Sequence, residues 1–426
     1  MFIKAEELDN TKSENYQKEH KKSGSTIVKV VTIPVGQGDS TLIECPGPNG
    51  DMTLIDMGSD HFALSRKTYI KEVLDHTDNG ARLEYIFLTH PDKDHISHGL
   101  DLNEGEGDHE GLITKIKAAK ADSSIEVYLG KKDGWTTEGS QSAKDLITMF
   151  KGRSVQRLHY YQGPKDVSIC GPNSNVKLRI IASDLGNTAN SRSMVLKLIN
   201  GQTNMLFLGD LEDGQSPKKE VIQKLIDDNT NELEADVIMI PHHGSNNNGN
   251  GKQNLYEAVK ARSAIISSHI MKGHDHPKLE TIESFCHGKT INVCDIPCGY
   301  QYKGHRYHTQ SDLITLPNGM NAAICPSGDV TTWAPFKTVN PDLSGSEEYG
   351  SRNTPHQTWT CNGKKILQTT KLVEDEDRGV KVQAYIIGTY LGPGAKQVRH
   401  TQFRLNPASD EKHFEPPTGK NMFDMI

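Results

Sequence analysis

No run in the 426-residue chain approaches the roughly 18 apolar residues that span a bilayer, so no membrane-crossing helix is expected. The first residues, MFIKAEELDNTKSENYQKEHKK, are polar, of mixed charge, and without the apolar stretch of a secretory signal. Cysteine is sparse: seven residues, an odd number, scattered from Cys45 to Cys361. That pattern argues against a disulfide framework, and with the polar N-terminus it predicts a cytoplasmic protein. Cys294 and Cys298 have no second pair near them in sequence, so a structural zinc is not expected there. Positive charge is not in excess either. The formal net charge of -7 argues against a strong sequence-independent grip on nucleic acid. It leaves room for cation-dependent chemistry on phosphates, which needs acidic ligands.

With 24% charged, 34% hydrophobic and 6% aromatic residues, the chain reads as polar, loop-rich and globular, not disordered. Its length suggests about two domains. Residues 1–25 read as a polar N-terminal arm. From Thr26 onward, short runs rich in β-branched residues predict strands at 27–33, 40–44 and 52–56. The turn Val35-Gly36-Gln37-Gly38-Asp39 lies between the first two. A helix is expected near 62–76, then a strand at 85–88. Further strands are expected at 176–181, 193–199, 203–208, 236–240 and 263–267, with helices near 217–227, 253–261 and 278–286. Early hairpins followed by strand–helix alternation predict sheets covered by helices, an α/β layered sandwich. A hairpin of 311–316 and 321–325, turning at Pro317-Asn318-Gly319, closes a domain spanning 26–325. Residues 326–355, rich in Pro, Gly, Ser, Thr and Asn, read as a linker. Residues 356–426 read as a small β-rich module with strands at 356–368, 380–390 and 398–405.

The chemistry concentrates in Thr89-His90-Pro91-Asp92-Lys93-Asp94-His95, directly after the apolar run Tyr85-Ile86-Phe87-Leu88. Four side chains able to bind a metal fall within six residues at the end of a strand, where a cation can remain open to solvent. Alternate residues of an extended segment point the same way, so His90 and Asp92 can grip one cation. Asp94 and His95, where the chain turns toward a helix, can approach a second. The competing reading is a polar loop with Asp94 as helix N-cap; four ligand types at alternating spacing weigh against it.

Three later segments add candidates. Met205-Leu206-Phe207-Leu208-Gly209-Asp210 is an apolar strand ending in a carboxylate that could bridge two cations. The strand at 236–240 runs into Pro241-His242-His243-Gly244-Ser245, and paired histidines at a strand tip are rarely needed for packing. Gly273-His274-Asp275-His276-Pro277 offers a last ligand or a general acid, with His276 preferred over His274 and His269.

The ordered set HxDxDH, GD, PHHGS and HP resembles the metallo-β-lactamase superfamily. More narrowly it resembles the hydrolase domain of bacterial competence (DNA-uptake) channel proteins of the ComEC type. Further matching segments are Val35–Glu44 through its Gly-Gln-Gly-Asp39, Leu54-Ile55-Asp56-Met57-Gly58, Asn190-Ser191-Arg192-Ser193 and the stretch Tyr307-His308-Thr309-Gln310. The resemblance covers about residues 26–325. It implies a metallo-β-lactamase fold, an αββα sandwich with the small β-rich module appended, and a metal site at the sheet edge. Metal roles fall on His90, Asp92, Asp94, His95 and Asp210, with His242, His243 and His276 as ligands or substrate-polarising groups. Asp56 matches the aspartate that braces the site from behind. Asp92 stands where the common HxHxDH motif has a second histidine, a change the competence-type domains share. His159 is only a positional counterpart to the histidine that most members place before the Gly-Asp. More carboxylate and fewer imidazoles shift preference from zinc toward manganese or magnesium. The channel-forming membrane segments of the competence proteins have no counterpart, so a role in DNA uptake is not implied.

The expected function is metal-dependent hydrolysis of a phosphodiester, as a nuclease or phosphodiesterase, with one or two divalent ions (Zn, Mn or Mg) activating water. The catalytic set is Asp94, Asp210, His243 and His276, with the hydroxyl of Ser245 available to a phosphate oxygen. Nucleic acid or a nucleotide is the expected substrate, and no membrane is. Hydrolysis of a carboxylic ester, lactone or thioester is the rival enzymatic reading. A non-catalytic metal-binding interaction module is the rival outside enzymes, and the near-complete ligand set argues against it. In the C-terminal module, Trp359, Tyr385, Tyr390 and Phe403 stand among Lys396, Arg399 and Arg404 and could stack single-stranded nucleic acid. Glu374-Asp375-Glu376-Asp377 offsets those charges and favours the plainer reading of the aromatics as core. The module is also a candidate dock for a companion protein.

Overall fold

The structure, a computed structural model, describes residues 18–48, 50–58, 66–78, 82–104, 107–119, 125–152, 157–161, 163–215, 220–246, 252–268, 276–277, 279–286, 292–294, 300–302, 305–307, 312–315, 321–324, 330–332, 358–361, 364–372, 382–407 and 414–415. The principal strands are, in chain order, β1 (Val28–Thr32), β2 (Thr41–Glu44), β3 (Met52–Ile55), β4 (Leu83–Leu88), β5 (Glu126–Leu129) and β6 (Arg157–Tyr160). They continue with β7 (Lys165–Ser168), β8 (Val176–Ala182), β9 (Val195–Asn200), β10 (Thr203–Phe207), β11 (Val237–Met239) and β12 (Ser263–Ile266). The last are β13 (Asn292–Cys294), β14 (Thr358–Cys361), β15 (Lys364–Gln368), β16 (Thr370–Leu372), β17 (Val382–Leu391) and β18 (Val398–Arg404). The longer helices are α1 (Arg66–Asp78), α2 (Leu112–Ala119), α3 (Gln141–Gly152), α4 (Val221–Leu233), α5 (Gln253–Val259) and α6 (Leu279–Phe285).

The strands form two nine-stranded sheets. One runs β16-β17-β1-β2-β3-β4-β5-β6, with β18 paired to β17; the other runs β13-β14-β15-β12-β11-β10-β9-β8-β7. Each is antiparallel at the start and turns parallel where helices intervene. In the first, α1, α2 and α3 connect β3 through β6. In the second, α4 and α5 connect β10 through β12.

Three apolar cores define the layers. Adjacent residues of one strand face different cores, as the two-residue period of a strand requires. Val31, Leu54, Ile86 and Leu88 pack with Tyr69 of α1, Leu112 of α2 and Leu146 of α3. Their neighbours Val30, Ile55 and Phe87 instead meet Met205, Phe207, Val237 and Ile265 between the sheets. Leu206, Ile238, Ala264 and Ile266 then face Leu225 of α4, Tyr256 of α5 and Phe285 of α6. The molecule is therefore an αββα sandwich. Strands buried on both faces explain why the sequence shows continuous apolar runs rather than alternation.

The C-terminal strands expected beyond residue 356 are present, and they complete the sandwich's own sheets. β17 pairs antiparallel with β1, with Val30 opposite Thr389, and β15 pairs parallel with β12, with Ala264 opposite Ile366. Tyr385 and Tyr390 are buried, so these two aromatics are core. The hairpin Asp312–Thr315 with Asn321–Ile324 is also present. It is followed by a third strand, Val330–Thr332, inside the stretch read as linker.

One expectation is overturned. Cys45, just past β2, and Cys170, just past β7, form a disulfide across 125 residues of chain, with Cα atoms 5.4 Å apart. A cysteine count cannot reveal a pair that becomes adjacent only when strands of the two sheets are stacked. Nearby, the buried Lys29 ammonium and His20 imidazole both lie 3.3 Å from the Glu44 carboxylate. His20 Nδ1 also bonds the carbonyl of Ile27 at 2.7 Å, which holds the end of the N-terminal arm against β1 and β2. Among the described residues, no helix is long and apolar enough to cross a membrane.

Candidate metal centre

The C-terminal ends of the parallel strands β3, β4, β10, β11 and β12 open on one edge of the sandwich, where α/β sheets usually bind ligands. β4 delivers Thr89 and His90 there, and the chain then makes a single helical turn, Lys93–Ile96. Asp92, not Asp94, occupies the N-cap position. Its side chain makes no capping hydrogen bond, which frees the carboxylate for another use. His90 and His95 are buried. Asp92 stays 41% exposed and marks the solvent side of the cluster.

Asp210, at the tip of β10, sits at the centre. Its carboxylate lies 3.0 Å from His95 Nε2, 3.5 Å from His243 Nε2, 3.7 Å from His242 Nε2 and 3.8 Å from His90 Nε2. Its backbone N–H donates to Ser193 Oγ at 3.2 Å. The preceding Gly209 has φ +52, and a Cβ there would lie 2.7 Å from the Thr89 side chain. Only glycine lets β10 bring Asp210 this close to the end of β4.

Behind the cluster, Asp56 at the end of β3 accepts the Thr89 N–H at 2.8 Å and the Thr89 hydroxyl at 2.7 Å. Asp56 also lies 2.8 Å from His95 Nδ1, which turns His95 Nε2 inward. Asp56 has φ +57, an unfavourable backbone state for a non-glycine residue that persists where surrounding contacts enforce it. His242 and His243 show the same strain, with φ +50 and +55 in succession. His243 Nδ1 lies 2.9 Å from the Ser267 carbonyl, which acts as acceptor and leaves Nε2 facing Asp94 at 3.4 Å.

Asp39 is the residue that motif reading left out of the site. The turn after β1 brings it to the cluster: its N–H donates to the Asp94 carbonyl, and its carboxylate lies 3.6 Å from His243 Nδ1. The only sequence signal was the Gly-Gln-Gly turn before it. Ligand atoms of Asp39, His95, Asp210 and His243 all lie within 4.8 Å of one another, and so do those of His90, Asp94 and His95. Of the other expected residues, His276 is buried, its ring centroid 5.9 Å from that of His242. Ser245 is buried with its N–H on the His242 carbonyl. His159 stands apart, stacked on Tyr128 and 3.4 Å from Glu126. His269 and His274 lie outside the described residues, as does Cys298.

The donor set fits a cation. His90 Nε2, His95 Nε2, His243 Nε2 and Asp210 Oδ1 are buried, yet none has a hydrogen bond of acceptable geometry. Even the 3.0 Å approach of His95 to Asp210 is not aligned as one. Leaving four such atoms unsatisfied is costly unless something else satisfies them, and nitrogen and carboxylate lone pairs converging on one volume suit a divalent metal. Burial, aided by neighbouring His95, pushes His90 down to about 4, which keeps its lone pair free. Burial and the adjacent Asp94 and Asp210 push Asp92 up to about 6. Burial would raise Asp210, but His243, His95 and His242 hold it well below the usual carboxylate range.

No protein-family model matches the chain, and no curated protein sequence matches it. Solved structures do resemble it. Igni18, a metallo hydrolase from Ignicoccus hospitalis KIN4/I, is 11% identical; the alignment covers 61% of this chain and 91% of that one, with a TM-score of 0.38. Unliganded yeast PDE1 is 11% identical over 61% of this chain and 93% of its own, with a TM-score of 0.36. DIM-1 metallo-β-lactamase is 14% identical over 53% and 88%, with a TM-score of 0.29. Likeness at this level assigns no substrate or partner. The αββα layering rests on the strand pairing and the three cores.

Proposed function

We propose that this chain is a metal-dependent hydrolase of phosphodiesters, acting on nucleic acid or a nucleotide. The observation that supports this reading is the convergence of three buried, unsatisfied imidazole nitrogens, those of His90, His95 and His243, on the buried Asp210 carboxylate. His90, Asp92, Asp94, His95, Asp210, His242 and His243 are the residues that would hold one or two divalent ions, with Asp39 as a further carboxylate. Bound there, such ions supply Lewis acidity and lower the pKa of water.

The protein's own groups do the rest. Asp210 holds the centre of the cluster and keeps the surrounding imidazoles oriented. Asp56 fixes the His95 tautomer, and the Ser267 carbonyl fixes that of His243. His276, buried beside His242, is the group assigned to pass a proton to a departing oxygen. Four carboxylates among the candidate ligands favour manganese or magnesium over zinc. A carboxylate-rich site with hard cations suits phosphoryl oxygens better than a carboxylic ester, which ranks the phosphodiester reading first.

The test is elemental analysis of the purified protein combined with assays on single- and double-stranded DNA and RNA and on bis(p-nitrophenyl) phosphate. Wild type is compared with Asp210→Ala under added Mn²⁺, Mg²⁺ or Zn²⁺. Stoichiometric metal with Asp210-dependent cleavage is expected. Failure to bind metal would sink the hydrolase reading, and metal binding with turnover of p-nitrophenyl acetate alone would move it to esters.

A further inference from the structure

A cavity of about 290 Å³ opens beside His90 and Asp92, walled by the loop after β5 and by the loop between β8 and β9. Its volume is near the lower end for small-molecule sites, roughly 300–1,000 Å³. Trp135 lines it from the single helical turn Lys132–Trp135. Each wall supplies one cation, Lys131 from the loop after β5 and Arg192 from the loop between β8 and β9. The largely buried Asp184 carboxylate lies 3.3 Å from Arg192 Nε and 3.5 Å from Lys131 Nζ, so its charge attracts both cations, although Arg192 Nε makes no hydrogen bond there. Arg192 Nη1 donates to the Glu138 carboxylate, which also lines the cavity.

The two carboxylates on Arg192 differ in kind. Asp184 is 13% exposed and lies near two cations, whereas Glu138 is 51% exposed and is held mainly by Arg192, with a weaker pull from Lys131. Exposed ion pairs contribute little to stability, so the Glu138 carboxylate is easily exchanged for another anion. A phosphate offers the guanidinium fork two oxygens and a higher charge. Gly134 lies beside this guanidinium: a Cβ there would be in ordinary contact with Arg192 Nη1, at 3.7 Å.

We infer that Arg192, supported by Asp184 and Lys131, anchors a second anionic group of the substrate, and that the Glu138 carboxylate stands where that group binds. The preferred substrate is then a phosphodiester that carries a second, terminal phosphate, as a 5′-phosphorylated dinucleotide does. This rests on the phosphodiester reading of the metal centre. It adds that specificity comes from a metal-independent anion anchor in the lining of the cavity.

The experiment has a binding arm and a kinetic arm, both on the full chain supplied with Mn²⁺. Thymidine 5′-monophosphate is titrated calorimetrically into wild type, Arg192→Met and Glu138→Gln. Roughly tenfold weaker binding is expected for Arg192→Met and about threefold tighter binding for Glu138→Gln. In the kinetic arm, the KM of a thymidine dinucleotide without a 5′-phosphate is divided by that of the same dinucleotide with one. The ratio should exceed about ten in wild type and fall toward one in Arg192→Met. Unchanged affinity in either variant overturns the inference, as does a wild-type ratio near one. If Arg192→Met does not fold, as judged by circular dichroism, Glu138→Gln decides alone. If neither dinucleotide is cut but monophosphate binding follows Arg192 and Glu138, the anchor stands and the phosphodiester reading falls.

Discussion

His95 Nδ1 lies 2.8 Å from Asp56 Oδ2, and both side chains are buried. The same carboxylate receives the N–H and the hydroxyl of Thr89, the residue that begins the ligand-bearing loop. Asp56 therefore sets both the tautomer of one ligand and the path of the chain that carries three others. It touches the cluster from behind, through His95 and Thr89.

Replacing Asp56 by Asn should weaken metal binding by about 10–100-fold, the usual cost of losing a carboxylate behind a ligating histidine. Competition with a chromophoric chelator measures it. Affinity within twofold of wild type would remove Asp56 from this role.

Asp210→Asn keeps the shape of the central side chain and removes its charge. Turnover should fall at least about 100-fold, with bound metal reduced, while the circular dichroism spectrum stays that of wild type. Single-turnover assays and elemental analysis of the same sample check both halves. Full metal occupancy with normal turnover would contradict the central placement of Asp210.

Metal affinity should rise with pH. In the metal-free protein Asp92 is raised to about 6 by burial and by Asp94 and Asp210, so below that pH it carries a proton that the cation must displace. His95 and His243 point the same way: burial lowers both, but Asp210 outweighs it and holds them well above the ordinary imidazole value. Affinity should therefore drop by about tenfold or more per pH unit below about 6. Calorimetry in buffers of different ionisation enthalpy should register proton release at neutral pH. A pH-independent affinity between 5 and 7 would contradict this.

Gly209→Ala should destabilise the protein by about 1–3 kcal/mol, because φ +52 is unfavourable for alanine and the new Cβ would collide with Thr89. Thermal unfolding measures the loss. The substitution should also lower turnover, since Thr89 and Asp210 are pushed apart.

Breaking the Cys45–Cys170 bond should lower stability by about 2–4 kcal/mol, since it closes a loop of some 125 residues in the unfolded chain. Urea unfolding of wild type with and without reductant, against Cys45→Ala/Cys170→Ala, checks this. Thiol titration of protein isolated from its native source tests the cytoplasmic expectation directly, because such bonds persist mainly in oxidising surroundings.

Much of the site was legible because its ligands follow apolar strands and strand ends meet at one sheet edge. His90, Asp92, Asp94, His95, Asp210, His242 and His243 are brought together as the order of the motifs implied. The region from 107 to 170 yielded no elements to pattern reading, although α2, β5, α3, β6 and β7 lie there. Its strands are short and its edge strand β6 is only partly covered, so no long apolar run announces it. The same gap concealed Lys131, Trp135 and Glu138, which line the cavity beside the site.

By itself the sequence determined which donors exist, that they follow apolar strands, and that those strands alternate with helices that cover the sheets; these are local patterns, set by side-chain period and composition. Only the tertiary structure decided that Asp39 joins the cluster, that Asp210 is its centre, and that Cys45 meets Cys170. It also decided that strands beyond residue 356 extend the sandwich's two sheets. The reason is the same in each case. Strand pairing and sheet stacking bring together residues separated by a hundred positions or more, and no local pattern encodes that choice of neighbour.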